Sequence, residues 1–262
     1  MFNRNKIGLV LGGGGARGFF HMGVIKGLQE MGVKINEISG TSIGAIVGLM
    51  YAADPNIDFE KEASELNFSK LIQSVIFDKT LRPSGTSLDR EAILKKFLKN
   101  YIKADDFSEL KIKMRFNATD INDNKEIIFE KGKIFPGVIA SISIPGVFPP
   151  LKYHDKFLVD GGVVNNVPAS LIKKARKIII SDISMPIKNI TEKSSITDVL
   201  TATVGVMQRT NSLVRTKQLK RKKIIYLNSV ENKAFVLDFR KKNYQHLIDL
   251  GYKSIMERKG EI

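Results

Sequence analysis

One serine of this sequence stands in a pattern that is typical of nucleophilic catalysis. Ser42 is the centre of Gly40-Thr41-Ser42-Ile43-Gly44, which reads Gly-x-Ser-x-Gly. Apolar residues between 33 and 38 predict a short strand before it, and the apolar run from 43 to 50 predicts a helix after it. Such a turn strains the serine and places its hydroxyl at a positively polarised helix N-terminus. Small residues such as Gly40 and Gly44 are needed where the two backbones come close. A chance glycine-rich turn remains the alternative, because the pattern is short.

A glycine-rich loop precedes this motif. The apolar run Ile7–Leu11 predicts a buried first strand, and Gly12-Gly13-Gly14-Gly15-Ala16-Arg17-Gly18 follows it. Four consecutive glycines suit a backbone that turns sharply and presents N–H groups to a ligand. The spacing of Gly13, Gly15 and Gly18 fits the dinucleotide fingerprint of a nucleotide-binding oxidoreductase. Alternatively, the loop forms the oxyanion hole for a nucleophile on the next strand. The second interpretation is favoured, because the second strand ends in the serine motif rather than in a ribose-binding acid.

A carboxylate at the end of a later strand is the third candidate. A short helix ends near Ala140-Ser141 and enters a loop up to Pro150 that prolines stiffen. The strand Phe157–Val159 then leads to Asp160-Gly161-Gly162, where two glycines let another backbone approach closely. This placement is typical of a site residue, although a turn aspartate that bonds its own backbone has the same pattern.

The three histidines are poorly placed to serve as a catalytic base. His246 would complete the order Ser42–Asp160–His246 of a hydrolase triad, but it lies off the apolar stripe of the last helix and should face solvent. His154 falls in a predicted turn, and His21 has the spacing of a packed core residue. Asp160 is therefore the remaining candidate base, which gives a two-residue site.

The remaining pattern predicts alternating strands and helices, which is typical of a parallel α/β sheet. Helices are predicted at 87–101, at 168–175 and at the C-terminus. A further helix is predicted to begin at the capping signal Ser195-x-x-Asp198, because an apolar stripe of period 3.6 follows it. Strands are predicted at 113–120, 126–129, 178–182 and 224–227. The apolar stretch from Phe59 to Phe77 is core or a flap over the site. No linker or repeat interrupts the chain, which predicts one domain over 1–262 with its catalytic blocks within 6–183.

Composition limits the chemistry and the partners. The chain of 262 residues has no cysteine, which excludes thiolate nucleophiles and Cys-ligated metals, and its three histidines argue against a His-rich metal site. Its net charge of +15 attracts acidic surfaces, and a basic run extends from Arg209 to Lys223. That run lacks aromatic residues for stacking bases, so no nucleic-acid partner is expected. A solvated helix face and a membrane-facing patch are its two interpretations. The sequence shows no signal peptide and no apolar run long enough for a membrane span, which predicts a cytoplasmic protein, peripheral at the inner membrane surface if the run binds lipid.

Four blocks in this order resemble the patatin-like phospholipases, in particular small bacterial ones with little beyond the catalytic domain. The blocks are residues 13–18 with His21 and Gly23, residues 40–44, residues 140–150, and residues 160–162 with Asn165 and Pro168. The resemblance implies a three-layer α/β/α sandwich with a central, mostly parallel sheet. It also implies hydrolysis of acyl esters in phospholipids or lysophospholipids by a Ser–Asp dyad, without metal or other cofactor.

Carried onto this sequence, the resemblance assigns a role to each candidate. Ser42 is the nucleophile and Asp160 the general base, supported by Gly40, Gly44, Gly161 and Gly162. The backbone N–H groups of Gly14 and Gly15, and of Gly13, form the oxyanion hole. Arg17 fixes this loop or attracts the lipid phosphate, with a structural ion pair as the alternative.

Three hypotheses about function follow. A lipid acyl hydrolase that works at a membrane surface explains all four blocks. A nucleotide-binding oxidoreductase leaves Ser42 and Asp160 unexplained. A lipid-binding module without turnover is disfavoured, because both members of the dyad are present.

Overall fold

The computed structural model describes residues 6–65, 87–184, 189–219, 222–229 and 241–262. The helices are α1 (Phe19–Glu30), α2 (Ile43–Ala53), α3 (Phe59–Glu65), α4 (Ser87–Leu98), α5 (Ile134–Ser141), α6 (Ile196–Lys217) and α7 (Lys241–Met256). The strands are β1 (Ile7–Leu11), β2 (Ile35–Thr41), β3 (Lys113–Asp120), β4 (Lys125–Phe129), β5 (Leu151–Tyr153), β6 (Lys156–Asp160), β7 (Lys177–Asp182) and β8 (Lys223–Asn228). Within these ranges no helix is both long and apolar enough to cross a bilayer.

The strands form one sheet in the order β5-β6-β3-β2-β1-β7-β8, with β4 paired to β3. Strands β3, β2, β1, β7 and β8 run parallel to one another. Strands β4 and β6 each pair antiparallel with β3, and β5 pairs antiparallel with β6. The carboxyl ends of the parallel strands therefore meet at one edge, where loops commonly carry functional residues.

The two faces of the sheet are covered by different layers. Leu9 and Leu11 of β1 belong to the larger apolar cluster, which includes side chains of α1, α2, α5 and α7. Val10, which points the other way, belongs to a smaller cluster with residues between 167 and 180. Helix α6 packs on this second side, against the 3₁₀ turns Gly161–Val163 and Ala169–Leu171. The predicted three-layer sandwich with a mostly parallel sheet is confirmed.

A local signal marks the start of α6. Ser195 begins α6 with the predicted capping box, in which its side chain accepts from the backbone N–H of Asp198 and the carboxylate of Asp198 accepts from the N–H of Ser195. Helix α7 buries Leu247, Ile248 and Ile255 against α1. Helix α4 ends at Leu98, three residues before the predicted end.

The predicted helix at 168–175 is wrong. Only the 3₁₀ turn Ala169–Leu171 forms there. The backbone N–H groups of Lys173, Lys174 and Ala175 donate to the carboxylate of Glu37 instead of to helix carbonyls. Because Glu37 lies far away along the chain, no local sequence pattern predicts that its carboxylate competes with helix carbonyls for these N–H groups.

The stretch from Phe59 to Phe77 divides at the limit of the described residues. Phe59 begins α3 and is buried in the larger cluster. The choice between core and flap for 66–77 lies outside the described residues.

Candidate active site

Strand β3 brings the two candidate catalytic side chains together. Asn117 of β3 pairs with Thr41 of β2, and the next residue, Ala118, pairs with Asp160 of β6. Ser42 directly follows Thr41, so it lies beside Asp160 at the place where both strands end. The side chain of Ser42 is close enough to the Asp160 carboxylate to lower the pKa of that group. Residues more than a hundred positions apart thus become neighbours through the register of a third strand.

Ser42 occupies a strained turn at the N-terminus of α2. Its backbone has φ 55° and ψ −124°, a left-handed conformation that side chains with a Cβ rarely adopt. Its N–H donates to the Oγ of Ser141 at 2.9 Å. A Cβ at Gly40 would collide with the Gly44 carbonyl, and one at Gly44 with the backbone of Leu11. The glycines therefore permit the close approach that the sequence predicts.

This strain leads to a prediction about stability. Glycine adopts a positive φ without steric cost, whereas alanine keeps the Cβ, so Ser42→Gly should be more stable than Ser42→Ala. The relief of strain is worth about 1–3 kcal/mol, and the extra unfolded-state entropy of glycine removes about 0.5–1 kcal/mol of it. We expect a net difference of about 1 kcal/mol in the free energy of unfolding in urea. Both variants lack the hydroxyl, so each is the control for the other. A urea midpoint for Ser42→Gly below that of Ser42→Ala would contradict the proposed strain at residue 42.

Asp160 is a buried carboxylate held in one orientation. It is 7% exposed, and its Oδ1 accepts from the N–H of Gly162 at 2.7 Å. Its own N–H donates to the carbonyl of Ser143 at 2.9 Å, and the hydroxyl of Thr119 donates to its carbonyl at 3.0 Å. Burial raises the pKa of Asp160 to about 6, against the opposing effects of the Ser42 side chain and of the hydrogen bond from Gly162. The group is therefore ionised at neutral pH and more basic than an ordinary aspartate.

The glycines after Asp160 make room for this arrangement. A Cβ at Gly161 would collide with Asn117. One at Gly162 would lie 2.7 Å from the Asn166 Oδ1 and 3.0 Å from the Asp160 Oδ1. Both positions thus require the absence of a side chain.

The glycine loop offers two N–H groups to the site, not three. The N–H of Gly13 donates to the carbonyl of Asn166 at 3.0 Å, and the Asn166 Nδ2 donates back to the Gly13 carbonyl at 3.1 Å. Among the described residues, the N–H groups of Gly14 and Gly15 have no acceptor. The expectation that Gly13 contributes to the oxyanion hole is therefore corrected, because its N–H is already bonded.

Arg17 is buried against this loop and also lines the space in front of Ser42. Its side chain is 1% exposed, and its Nε donates to the carbonyl of Gly14 at 3.2 Å. Burial lowers the pKa of Arg17 to about 10, and the charge of Asp182 opposes this shift. Its Nη2 has no partner among the described residues. The bond to the Gly14 carbonyl restrains the loop.

A cavity of about 390 Å³ opens in front of Ser42. The glycine loop and Asp160 line one part of it. Ile144, Pro145, Val163, Val204 and Met207 line another part and make it largely apolar. A site with this lining accepts a ligand that is mainly hydrocarbon around one polar, reactive group.

None of the three histidines lines this cavity. His21 is fully buried, with its Nε2 2.8 Å from the Gly12 carbonyl and its Nδ1 2.7 Å from the Ser181 hydroxyl. Burial lowers the pKa of His21 to about 4, so it is neutral at pH 7. His154 lies in the β5–β6 turn and His246 faces solvent. The described residues also contain no cluster of three or more potential metal-ligating His, Asp or Glu side chains.

Two residues near the site were missed by sequence reasoning. Asn166 forms two hydrogen bonds with the backbone of Gly13, one as acceptor and one as donor. Its Nδ2 also donates to the Ser184 hydroxyl at 2.9 Å. Ser141 holds the backbone of Ser42. Both lie inside or next to the motif blocks, but nothing in their local pattern indicates which backbone group they bind.

The basic run from 209 to 223 does not form one solvated face. Arg215 donates to Glu126 at 3.2 Å, and the Nζ groups of Lys222 and Lys223 donate to backbone carbonyls at 2.5 and 2.7 Å. Lys217 is exposed at the end of α6. Residues 220–221 lie outside the described part of the chain. Several of these cations therefore have structural partners.

A model of the patatin-like phospholipase family matches residues 9–172. The chain belongs to this family. Patatin-like phospholipases are serine acyl hydrolases, so the predicted enzyme class is confirmed. The matched range contains the glycine loop, Ser42 and Asp160 of this patatin-like chain.

Two curated relatives illustrate the similarity. "Lysophospholipase NTE1" of Candida albicans is 35% identical over 191 residues, which are 70% of this chain and 13% of the relative. "Patatin-like phospholipase domain-containing protein ZK370.4" of Caenorhabditis elegans is 34% identical over 185 residues, which are 68% of this chain and 14% of the relative. The aligned part is thus a small fraction of each relative. The crystal structure of VipD from Legionella pneumophila has a TM-score of 0.53 at 14% identity and covers 99% of this chain and 67% of VipD, a likeness of fold alone.

Proposed function

We propose that this chain hydrolyses the fatty-acyl ester bond of phospholipids or lysophospholipids, with Ser42 as nucleophile and Asp160 as general base. The observation that carries the proposal is the register on β3, which places the strained Ser42 against the buried Asp160 carboxylate in an apolar cavity. Membership of a family of acyl hydrolases supports it.

In the proposed reaction Asp160 accepts the proton of the Ser42 hydroxyl as the Oγ attacks the ester carbonyl carbon. The carbonyl oxygen becomes an oxyanion, which the free N–H groups of Gly14 and Gly15 stabilise. The tetrahedral intermediate then expels the lipid alcohol, which takes the proton from Asp160 and leaves the acyl group on Ser42. Water, deprotonated by Asp160, attacks this acyl-enzyme. The second tetrahedral intermediate releases the fatty acid, and the Ser42 Oγ takes the proton back from Asp160.

Arg17 has a positioning role in this proposal. The Gly14 carbonyl and the Gly15 N–H belong to the same peptide group. The bond from Arg17 to that carbonyl therefore orients an oxyanion donor. Its burial disfavours contact with a lipid phosphate at the outer surface, and its access to a ligand is through the cavity that it lines. The reciprocal bonds between Asn166 and Gly13 fix the other end of the same loop.

We propose a lysophospholipid as the preferred substrate. The cavity of about 390 Å³ is near the lower end of the usual range for ligand pockets, about 300–1,000 Å³, which favours one acyl chain over two. The relative from Candida albicans is named a lysophospholipase. The positive charge of the chain, together with the basic run, supports peripheral contact with an acidic membrane surface.

The test is release of fatty acid by the purified chain. We expect cleavage of palmitoyl lysophosphatidylcholine, with a higher kcat/KM than for dipalmitoyl phosphatidylcholine, and stoichiometric labelling of Ser42 by a fluorophosphonate. The ether analogue of the lysolipid is the matched control and should release nothing. Binding of lipid without cleavage would favour the lipid-binding module, and a nucleotide cofactor retained on purification would favour the oxidoreductase.

A further inference from the structure

Helix α6 presents its apolar side to solvent. In an ordinary surface helix the apolar stripe faces the protein and the polar stripe faces water. Here the side that packs on the body carries small or polar residues such as Gly205 and Ser212, and Ser212 is buried. The apolar residues that are 43 to 80% exposed are Ile196, Val199, Leu200, Val204, Val206, Met207, Leu213 and Val214. The capping box shows that this is a well-formed helix rather than a frayed segment.

The exposed face is continuous with the candidate active site. Val204 and Met207 line the cavity in front of Ser42. Met207 also lines a second groove, of about 540 Å³, between α6 and Ile190. An apolar path therefore leads from the outer face of α6 to the mouth of the cavity. A ligand seated on this face would arrive next to the nucleophile.

The charge around this face is positive. From residue 199 to its end, α6 carries Arg209, Arg215 and Lys217 and no acidic residue, and of these Arg215 is bonded to Glu126. The chain as a whole has a net charge of +15. A helix with an apolar face and Lys/Arg beside it is typical of elements that lie in the plane of a membrane interface. A second copy is the less favoured occupant, because two surfaces of this charge repel each other and a protein on this face would obstruct the cavity.

We propose that the outer face of α6 docks on a bilayer with acidic headgroups. The 22-residue helix, about 33 Å long, lies parallel to the bilayer with its apolar side chains at the boundary between headgroups and acyl chains. Docking turns the mouth of the Ser42 cavity toward the lipid. This inference rests on the proposed function, because the orientation matters for catalysis only if Ser42 cleaves lipid. Membrane binding itself can be measured without turnover.

The experiment uses large vesicles of diether lipids, which contain no ester bond. Phosphatidylcholine vesicles with 30% phosphatidylglycerol are compared with phosphatidylcholine alone, and the bound fraction is measured by co-sedimentation. We expect tighter binding to the acidic vesicles, weakened by 0.5 M NaCl. Leu200→Gln and Val214→Gln should each lower the partition coefficient for the vesicles about tenfold, because each removes one aliphatic side chain that docking would bury in the bilayer. Neither residue lines the cavity or the groove, and glutamine is a good helix former.

Ile93→Gln is the matched control. Ile93 is an exposed isoleucine on α4, which packs against α5 in the opposite layer, so this variant should bind vesicles like the wild type. Equal binding of all variants, or no preference for the acidic vesicles, would overturn the proposal. So would a wild-type dimer in gel filtration that Leu200→Gln converts to a monomer, since the face would then join two copies. Failure of the proposed function is a separate result. It would appear as uncleaved ester lipid in a hydrolysis assay, which does not measure vesicle binding.

Discussion

Ser42→Ala should lower kcat/KM for a short-chain p-nitrophenyl ester by at least about 10⁴-fold. The substitution removes the proposed nucleophile and leaves the N–H groups of Gly14 and Gly15 in place. The remaining rate would come from the oxyanion hole and from substrate binding alone. Fold and stability should be retained, because alanine keeps the Cβ and the backbone bond to Ser141. Initial rates and a urea unfolding curve on the same preparation test both parts.

The control for this variant is His246→Ala. His246 is exposed on α7 and outside the cavity, so its removal should leave the rate unchanged. If both variants are folded and inactive, a histidine takes part in catalysis and the two-residue site is wrong. If Ser42→Ala keeps its activity, another residue is the nucleophile.

Sequence reasoning could nominate the parts of the candidate site because each part follows a strand with a local signature. The glycine loop follows β1, Ser42 follows β2 and Asp160 ends β6. What the sequence does not contain is the register that joins them. Ser42 and Asp160 meet because Asn117 and Ala118 are consecutive on β3, and neither residue has a pattern that indicates its partner strands.

The errors have the same physical origin in long-range contacts. The pattern at 168–175 suits a helix, but the distant Glu37 takes the N–H groups that such a helix would need. Gly13 looks like its neighbours in sequence, but the carbonyl of Asn166 engages its N–H. Periodicity likewise reveals the apolar stripe of α6 but not the direction in which it points, because that depends on the surface beneath the helix.

Asp160→Asn should lower kcat/KM at pH 8 by about 10²–10⁴-fold, the usual contribution of a general base. Asparagine keeps the shape and an oxygen for the N–H of Gly162, but it cannot take the serine proton. The wild type should also lose activity below pH 6, tenfold per unit, because burial raises the pKa of Asp160 to about 6 and the protonated acid is no base. This acid limb should disappear from the residual rate of Asp160→Asn. Asp155→Asn, the same change of charge at an exposed site in the neighbouring turn, should keep both the rate and the limb.

The same substitution should stabilise the fold, which separates a catalytic role from a structural one. The folded pKa of Asp160 lies above the unfolded value of 3.8, so the folded state binds the proton more tightly. Stability from this group therefore falls as pH rises from about 4 to 6, and the buried charge costs on the order of 3 kcal/mol above that range. Asparagine avoids this cost because it carries no charge. We expect Asp160→Asn to be far less active than the wild type yet to unfold at a higher urea concentration at pH 8, with the difference shrinking toward pH 4. A variant that is less stable at pH 8 would indicate that the charge of Asp160 holds the fold together, and its lost activity would then say nothing about a base.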